Sequence, residues 1–249
     1  MELVLDTDDP LAVAAVSAVH AGDVTALQRL LAEQPRLATA RLGDHDGGMS
    51  RTLLHVVADW PGHRPNGAAT VAALIAAGAD VNARFTGPHT ETPLHWAASN
   101  DDVAVLDALL DAGADIDATG AVIAGGTPLD DATAFAQWRA ARRLVERGAR
   151  TSLGHAAALG LMDRLRGYFA GATAPEADEI NAGFWSACHG GRQQACAFLL
   201  EHGADINWLP GWERATPLDA ALRGGATGLA DWLRGRAAVT AAELGRASG

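Results

Sequence analysis

Thr92-Pro93-Leu94-His95-Trp96-Ala97-Ala98, leading to Gly113-Ala114-Asp115-Ile116-Asp117, is the stretch whose reading decides the fold. Thr92 suits a helix N-cap, where its hydroxyl accepts from an orphan N–H, and Pro93 suits the first helical position, where a missing N–H costs nothing. Leu94, Ala97 and Ala98 fall on one helical face and are small enough to let neighbouring helices approach. Val105, Leu106, Leu109 and Leu110 repeat that facing on a second helix, and Gly113 supplies the left-handed residue that closes it. One such helix pair cannot bury its own apolar face, so the pattern calls for copies on either side.

The copies are present. Thr52-Leu53-Leu54-His55 leads to Gly78-Ala79-Asp80-Val81-Asn82, and Thr127-Pro128-Leu129-Asp130 leads to Gly148-Ala149. Ala182-Gly183-Phe184-Trp185 leads to Gly203-Ala204-Asp205-Ile206-Asn207, and Thr216-Pro217-Leu218-Asp219 opens a last unit. Glycines 78, 113 and 148 are each 35 residues apart. The motif resembles that of the ankyrin repeat family, whose unit carries T-P-L-H-x-A within a period of about 33 residues. The resemblance implies an all-α solenoid of about seven helix-turn-helix units. The units fall at about 9–41, 51–84, 91–118, 126–150, 152–172, 181–208 and 215–237, one domain over 1–237 with a tail over 238–249.

Composition narrows the function classes. A net charge of −11 disfavours nucleic acid and anionic membranes, both of which are bound through basic patches. No apolar run approaches the roughly 18 residues that a membrane span needs. Met1-Glu2-Leu3-Val4-Leu5-Asp6 lacks the basic flank and apolar core of a signal peptide. Cys188 and Cys196, the only cysteines, read as a buried reduced pair rather than a zinc site, since with His189 and His202 they do not fit a ligand spacing. The expected setting is the cytoplasm, and the expected state a monomer without metal or cofactor.

The departures from regularity carry the most information. Residues 1–8 read as an acidic lead-in and 41–50 as a Gly/Asp loop. Trp60-Pro61-Gly62-His63-Arg64-Pro65-Asn66 interrupts the second unit, because its prolines and glycine exclude continuous helix. Thr119 to Gly126 reads as a Gly-rich hairpin. Arg139, Arg142, Arg143 and Arg147 read as a solvated outer face. The fifth unit is shortened by about nine residues, the length of the hairpin finger that bridges neighbouring units. Thr240-Ala241-Ala242-Glu243 reads as a capping box on a short final helix, and Ala247-Ser248-Gly249 as a frayed end.

The resemblance implies binding along the concave side, through first helices and fingers. Aligning the units on the second alanine of the inner helix places Ser17, Val56, Trp96, Asp131, His155, Ser186 and Ala220 at one groove-facing register. One turn on lie His20, Asp59, Ser99, Ala134, His189 and Arg223, and the fingers add Arg84, Phe85, His89, Glu91, Trp208 and Trp212. The family likeness assigns His55 and His95 to backbone hydrogen bonds between units. Asp130 and Asp219 replace that histidine in two units and Trp185 in a third, where an indole cannot accept as the histidine does, so local packing must differ. The expected contacts to another protein are Trp60, Asp59, His89, Glu91, Trp96, Asp131, His155, His189, Trp208 and Trp212. The alternative is a pocket for a small apolar molecule formed by Trp96, Asp131 and His155, with Asp131 and His155 as acid and base. Whether the chain is an enzyme stays open at this point, with the scaffold favouring binding over catalysis.

Overall fold

The computed structural model describes residues 3–43, 48–171 and 173–247, so part of the 41–50 loop and Ser248-Gly249 lie outside the described residues. The chain is mostly helical and groups into two compact bodies, residues 1–149 and 150–249. The boundary falls at the shortened fifth unit, inside what the spacing reads as one domain.

The first body holds four helix pairs: α1 (Pro10–Ala21) with α2 (Val24–Glu33), α3 (Leu53–Ala58) with α4 (Gly67–Ala76), α5 (Pro93–Ser99) with α6 (Val103–Asp111), and α7 (Pro128–Ala134) with α8 (Trp138–Glu146). A 3-10 turn over Pro35–Thr39 follows α2. The second body holds α9 (Leu153–Leu159) with α10 (Met162–Phe169), α11 (Ala177–His189) with α12 (Gln193–Glu201), α13 (Pro217–Arg223) with α14 (Thr227–Arg234), and a last helix α15 (Ala241–Ala247).

Capping explains where the inner helices begin. At Thr52, Thr92, Thr127, Ser152 and Thr216 the hydroxyl residue and the side chain three positions on close a capping box. His55 and His95 fill the second role: each Nδ1 accepts from the backbone N–H of its threonine, at 3.2 and 3.1 Å. Their Nε2 atoms reach the Glu91 and Gly126 carbonyls, immediately before the next unit's cap. Asp130 and Asp219 reproduce the first half of that arrangement, accepting from the Thr127 and Thr216 N–H groups. Trp185 reproduces the second half: its Nε1–H donates to the Ala215 carbonyl at 3.0 Å. An indole cannot accept, as its chemistry dictates, yet it keeps the bond to the next unit.

Four outer helices, α4, α6, α8 and α12, end on glycines in left-handed backbone, Gly113 at φ 92° among them, with open space where a Cβ would sit. Conformation alone selects glycine there. Gly190 differs, because a Cβ would lie 2.0 Å from the Ala158 carbonyl oxygen; α9 and α11 pack too closely for a side chain.

Three features depart from the sequence reading. The segments read as lead-in and loop form a small sheet: β1 (Val4–Leu5) runs parallel to β2 (Arg41–Gly43), which pairs antiparallel with β3 (Ser50–Arg51). Arg41 fastens it to the next finger, donating to the Ser50 and Arg84 carbonyls, and Arg84 in turn donates to the Thr90 and Thr119 carbonyls. The 119–126 segment folds back through paired bonds between Gly120 and Gly125 and from Ala121 to Gly126, without strand geometry. The arginines on α8 are not simply solvated: Arg143 and Arg147 both pair with Asp107 on α6, at 2.8 and 2.6 Å, and Arg147 also takes Asp111.

Candidate functional site

The insertion of the second unit is anchored on both sides. The Asn66 side chain donates to the Gly22 carbonyl, and the His63 N–H donates to Asp102 at 2.7 Å. Held this way, Trp60 projects outward, 78% exposed, and its ring makes no aromatic contact among the described residues. Asp59, at the end of α3, pairs through one oxygen with Arg51. Asn100 closes the floor by donating to the Ala58 and Trp96 carbonyls at 2.8 and 3.0 Å.

The finger between α4 and α5 supplies the opposite wall. Glu91 is nearly buried, and one of its oxygens accepts from the Trp96 Nε1–H at 2.7 Å. The same oxygen lies 2.9 Å from His89 Nδ1, while the other accepts from the Val122 N–H at 3.0 Å. One carboxylate thus fastens an inner-helix tryptophan, its own finger and the tip of the next. Phe85 stacks on His89 with centroids 4.7 Å apart and tilts toward Trp96 at 5.6 Å, and Trp96 meets His55 edge-on.

These residues enclose a cleft of about 450 Å³ lined by Asp59, Trp60, His89, Glu91, Trp96 and Phe135, with Ser99, Asn100, Val122 and Gln137 completing it. Five of the ten expected contacts, Asp59, Trp60, His89, Glu91 and Trp96, therefore line one cleft. Phe135 and Val122, 45% and 52% exposed, were not singled out. The one signal for Val122 was an apolar pair, Val122-Ile123, inside a glycine-rich turn where polar residues are usual.

Asp131 does not face the groove as the alignment expects. It is fully buried, and neither carboxylate oxygen accepts a hydrogen bond. Burial raises its pKa to about 8, and the neighbouring negative charge of Glu91 and a hydrogen bond shared with it act in the same direction. The nearby Ile123 backbone opposes the shift without cancelling it. As a carboxylate Asp131 would be an orphan; as a neutral acid it donates to Glu91. The register it occupies is buried in Val56 and Ala220 as well, whereas Trp96 and Ser186 are only partly buried there and Ser17 is exposed, so burial at that register varies from unit to unit.

His155 is a second correction. Ser152 is the N-cap of α9, and the Ser152 N–H donates to His155 Nδ1 at 3.2 Å. The residue therefore matches His55 and His95, and Ala156 takes the register expected for it. Three consecutive alanines, Ala156 to Ala158, allow the unit to be aligned one residue out. A buried acid and a histidine committed to a cap do not make the acid–base pair that the alternative reading requires.

His189, Trp208 and Trp212 belong to the second body and surround Trp185. His189 stacks on its ring at 5.4 Å, Trp212 meets it edge-on at 6.0 Å, and Trp208 meets Trp212 at 5.4 Å. Trp212 is 61% exposed. Cys188 and Cys196, both free and buried, sit with sulfurs 3.5 Å apart between α11 and α12, and burial raises the Cys188 thiol pKa. No helix among the described residues is long and apolar enough to cross a membrane.

Stacked helix pairs with capped inner helices and a cleft across successive fingers define a helical-repeat recognition scaffold. The chain belongs to the ankyrin repeat family: ankyrin repeats (3 copies) match residues 11–120 and 54–154, and ankyrin repeats (many copies) match residues 184–234, together more than half of the chain. Such repeats are generally protein–protein interaction modules. Among curated proteins none matches the chain.

Proposed function

We propose that the protein captures a partner protein through the cleft of its first body, with Trp60 as the outer anchor and Trp96 as the inner one. The observation that supports this reading is the convergence of Trp60, Phe135 and Val122, all exposed and apolar, on a concave site edged by Asp59, His89 and Glu91. Exposed aromatic residues around a partly desolvated centre are the composition of binding hot spots. The aromatic group of His189, Trp208 and Trp212 on the second body is a further contact surface for the same kind of partner. A reducing cytoplasmic setting fits the free thiols of Cys188 and Cys196, and a monomer is the state we assign.

Trp60→Ala is the decisive variant, because the residue is 78% exposed and lies outside the helices and their buried core. Affinity for a co-purified partner should fall by about 2 kcal/mol, or roughly thirtyfold. The fold is checked by unchanged circular dichroism. Wild-type partner recovery by a folded Trp60→Ala protein would remove the cleft from the binding surface.

A further inference from the structure

We propose that the cleft recognises an arginine side chain of the partner, its guanidinium stacked on Trp60 and facing the Glu91 carboxylate. This rests on the docking reading above and adds the chemistry of what docks.

Three observations point to a planar cation. Trp60 is 78% exposed and its ring makes no aromatic contact among the described residues, so a face is open to a flat group. Phe135, also without a ring partner, gives a second apolar wall across the cleft. Arginine stacks on aromatic faces and forks onto carboxylates, whereas an ammonium is a compact, strongly hydrated point charge. The carboxylates come next. Asp59 and Glu91 line the cleft, and among the described residues no arginine does. Arg51 takes one oxygen of Asp59, whereas the contacts of Glu91 among the described residues are Trp96, Val122, His89 and Asp131, none of them an arginine. The chain contains no lysine at all, and its net charge of −11 favours approach of a basic segment.

Asp131 supplies the third observation. A fully buried carboxyl group that accepts no hydrogen bond stands beside Glu91, and burial together with the Glu91 charge holds it neutral, since a second negative charge there is costly. Glu91 from the preceding finger and Asp130 on its own helix are the charged groups acting on it, with His89 touching Glu91. A guanidinium arriving in front of Glu91 offsets the second charge, so the proton leaves as the cation binds. Docking should therefore tighten as pH rises.

The full chain, labelled with ¹⁵N, tests this through its tryptophan indole signals, assigned by Trp60→Phe and Trp96→Phe. The probes are N-acetyl-arginine methylamide and N-acetyl-citrulline methylamide, equal in shape and differing in charge. The arginine compound should shift the Trp60 and Trp96 signals saturably and bind about tenfold more tightly than citrulline. Glu91→Gln should bring arginine down to the citrulline level. Asp131→Asn should retain binding at pH 7 and lose the tightening between pH 7 and pH 9. Equal shifts by both compounds in the wild type, or none from arginine, overturn the proposal without relying on any variant's fold. If Trp60→Ala abolishes partner capture while arginine gives no shift, the cation assignment falls and the docking site stands. If capture survives Trp60→Ala, the docking site falls too.

Discussion

At the tight turn between helices of a pair the backbone enters left-handed space, and glycine occupies that position four times: Gly22, Gly160, Gly191 and Gly225, with φ between 64 and 71°. Asp101 and Ala136 occupy it at φ 55 and 58°. Their side chains make the two cases opposite. Asp101 accepts from the Ala140 N–H at 2.7 Å and so caps α8, whose own N-cap, Gln137, contributes no side-chain bond. Ala136 is exposed and its methyl group has nothing comparable to do. Left-handed backbone costs an L-residue about 1–2 kcal/mol, whereas the extra freedom of glycine in the unfolded chain costs about 0.5–1 kcal/mol. Relief wins by a small margin, so Ala136→Gly should stabilise the fold by about 0.5 kcal/mol. Asp101→Gly should destabilise it by about 1 kcal/mol, since the lost cap outweighs the relief. Urea denaturation of both variants checks the pair, and a shift of the same sign in both would contradict the assignment.

The last helix shows how a repeat array finishes. Asn82 accepts from the Asp115 N–H and donates to the Gly113 carbonyl, tying one unit to the next. Asn207 does the same to the tail, accepting from the Val239 N–H and donating to the Ala237 carbonyl. Asp219 adds a bond from the Ala241 N–H at 2.8 Å, and Thr240 with Glu243 closes the capping box of α15. The tail thus stands in for the start of an eighth unit over the exposed side of α13. Replacing both Thr240 and Glu243 with alanine should cost about 1 kcal/mol and speed hydrogen exchange across α13 and α14 ahead of α9; uniform exchange across the second body would argue against it. This helix was legible because a capping box is a local signal. The sheet was not, since strands of two or three residues carry no period to read. The cleft was legible in its walls, where the insertion and the fingers break the repeat at Trp60, His89 and Glu91. It was illegible at Asp131, because burial at that register depends on how closely two inner helices stack, which no single unit reveals.

Titration sets the two bodies apart across the whole molecule. His55, His95 and Asp131 all lie in the first body. Burial lowers the His55 pKa to about 3 and lowers that of His95 as well, while burial beside Glu91 raises Asp131 to about 8. For the histidines the folded state binds fewer protons than the unfolded chain, so their contribution is present above about pH 6.5 and is lost as the pH falls toward the folded values. For Asp131 the folded state binds more: no penalty exists below about pH 4, and stability declines as the pH climbs from there to about 8. Between pH 4 and 6.5 the slopes oppose each other, and above 6.5 only the carboxyl remains, with a limiting slope of about 1.4 kcal/mol per pH unit. The first body should therefore be most stable near pH 6.5 and weaken on both sides. Hydrogen exchange over α5 and α7, corrected for intrinsic rates, should show that maximum. In Asp131→Asn the alkaline decline should disappear while the acid side persists, and α12, remote in sequence from all three groups, should follow neither trend. A wild-type profile level from pH 6.5 to 8, or an Asp131→Asn profile that declines in parallel, would show that the buried acid is ionised in the fold.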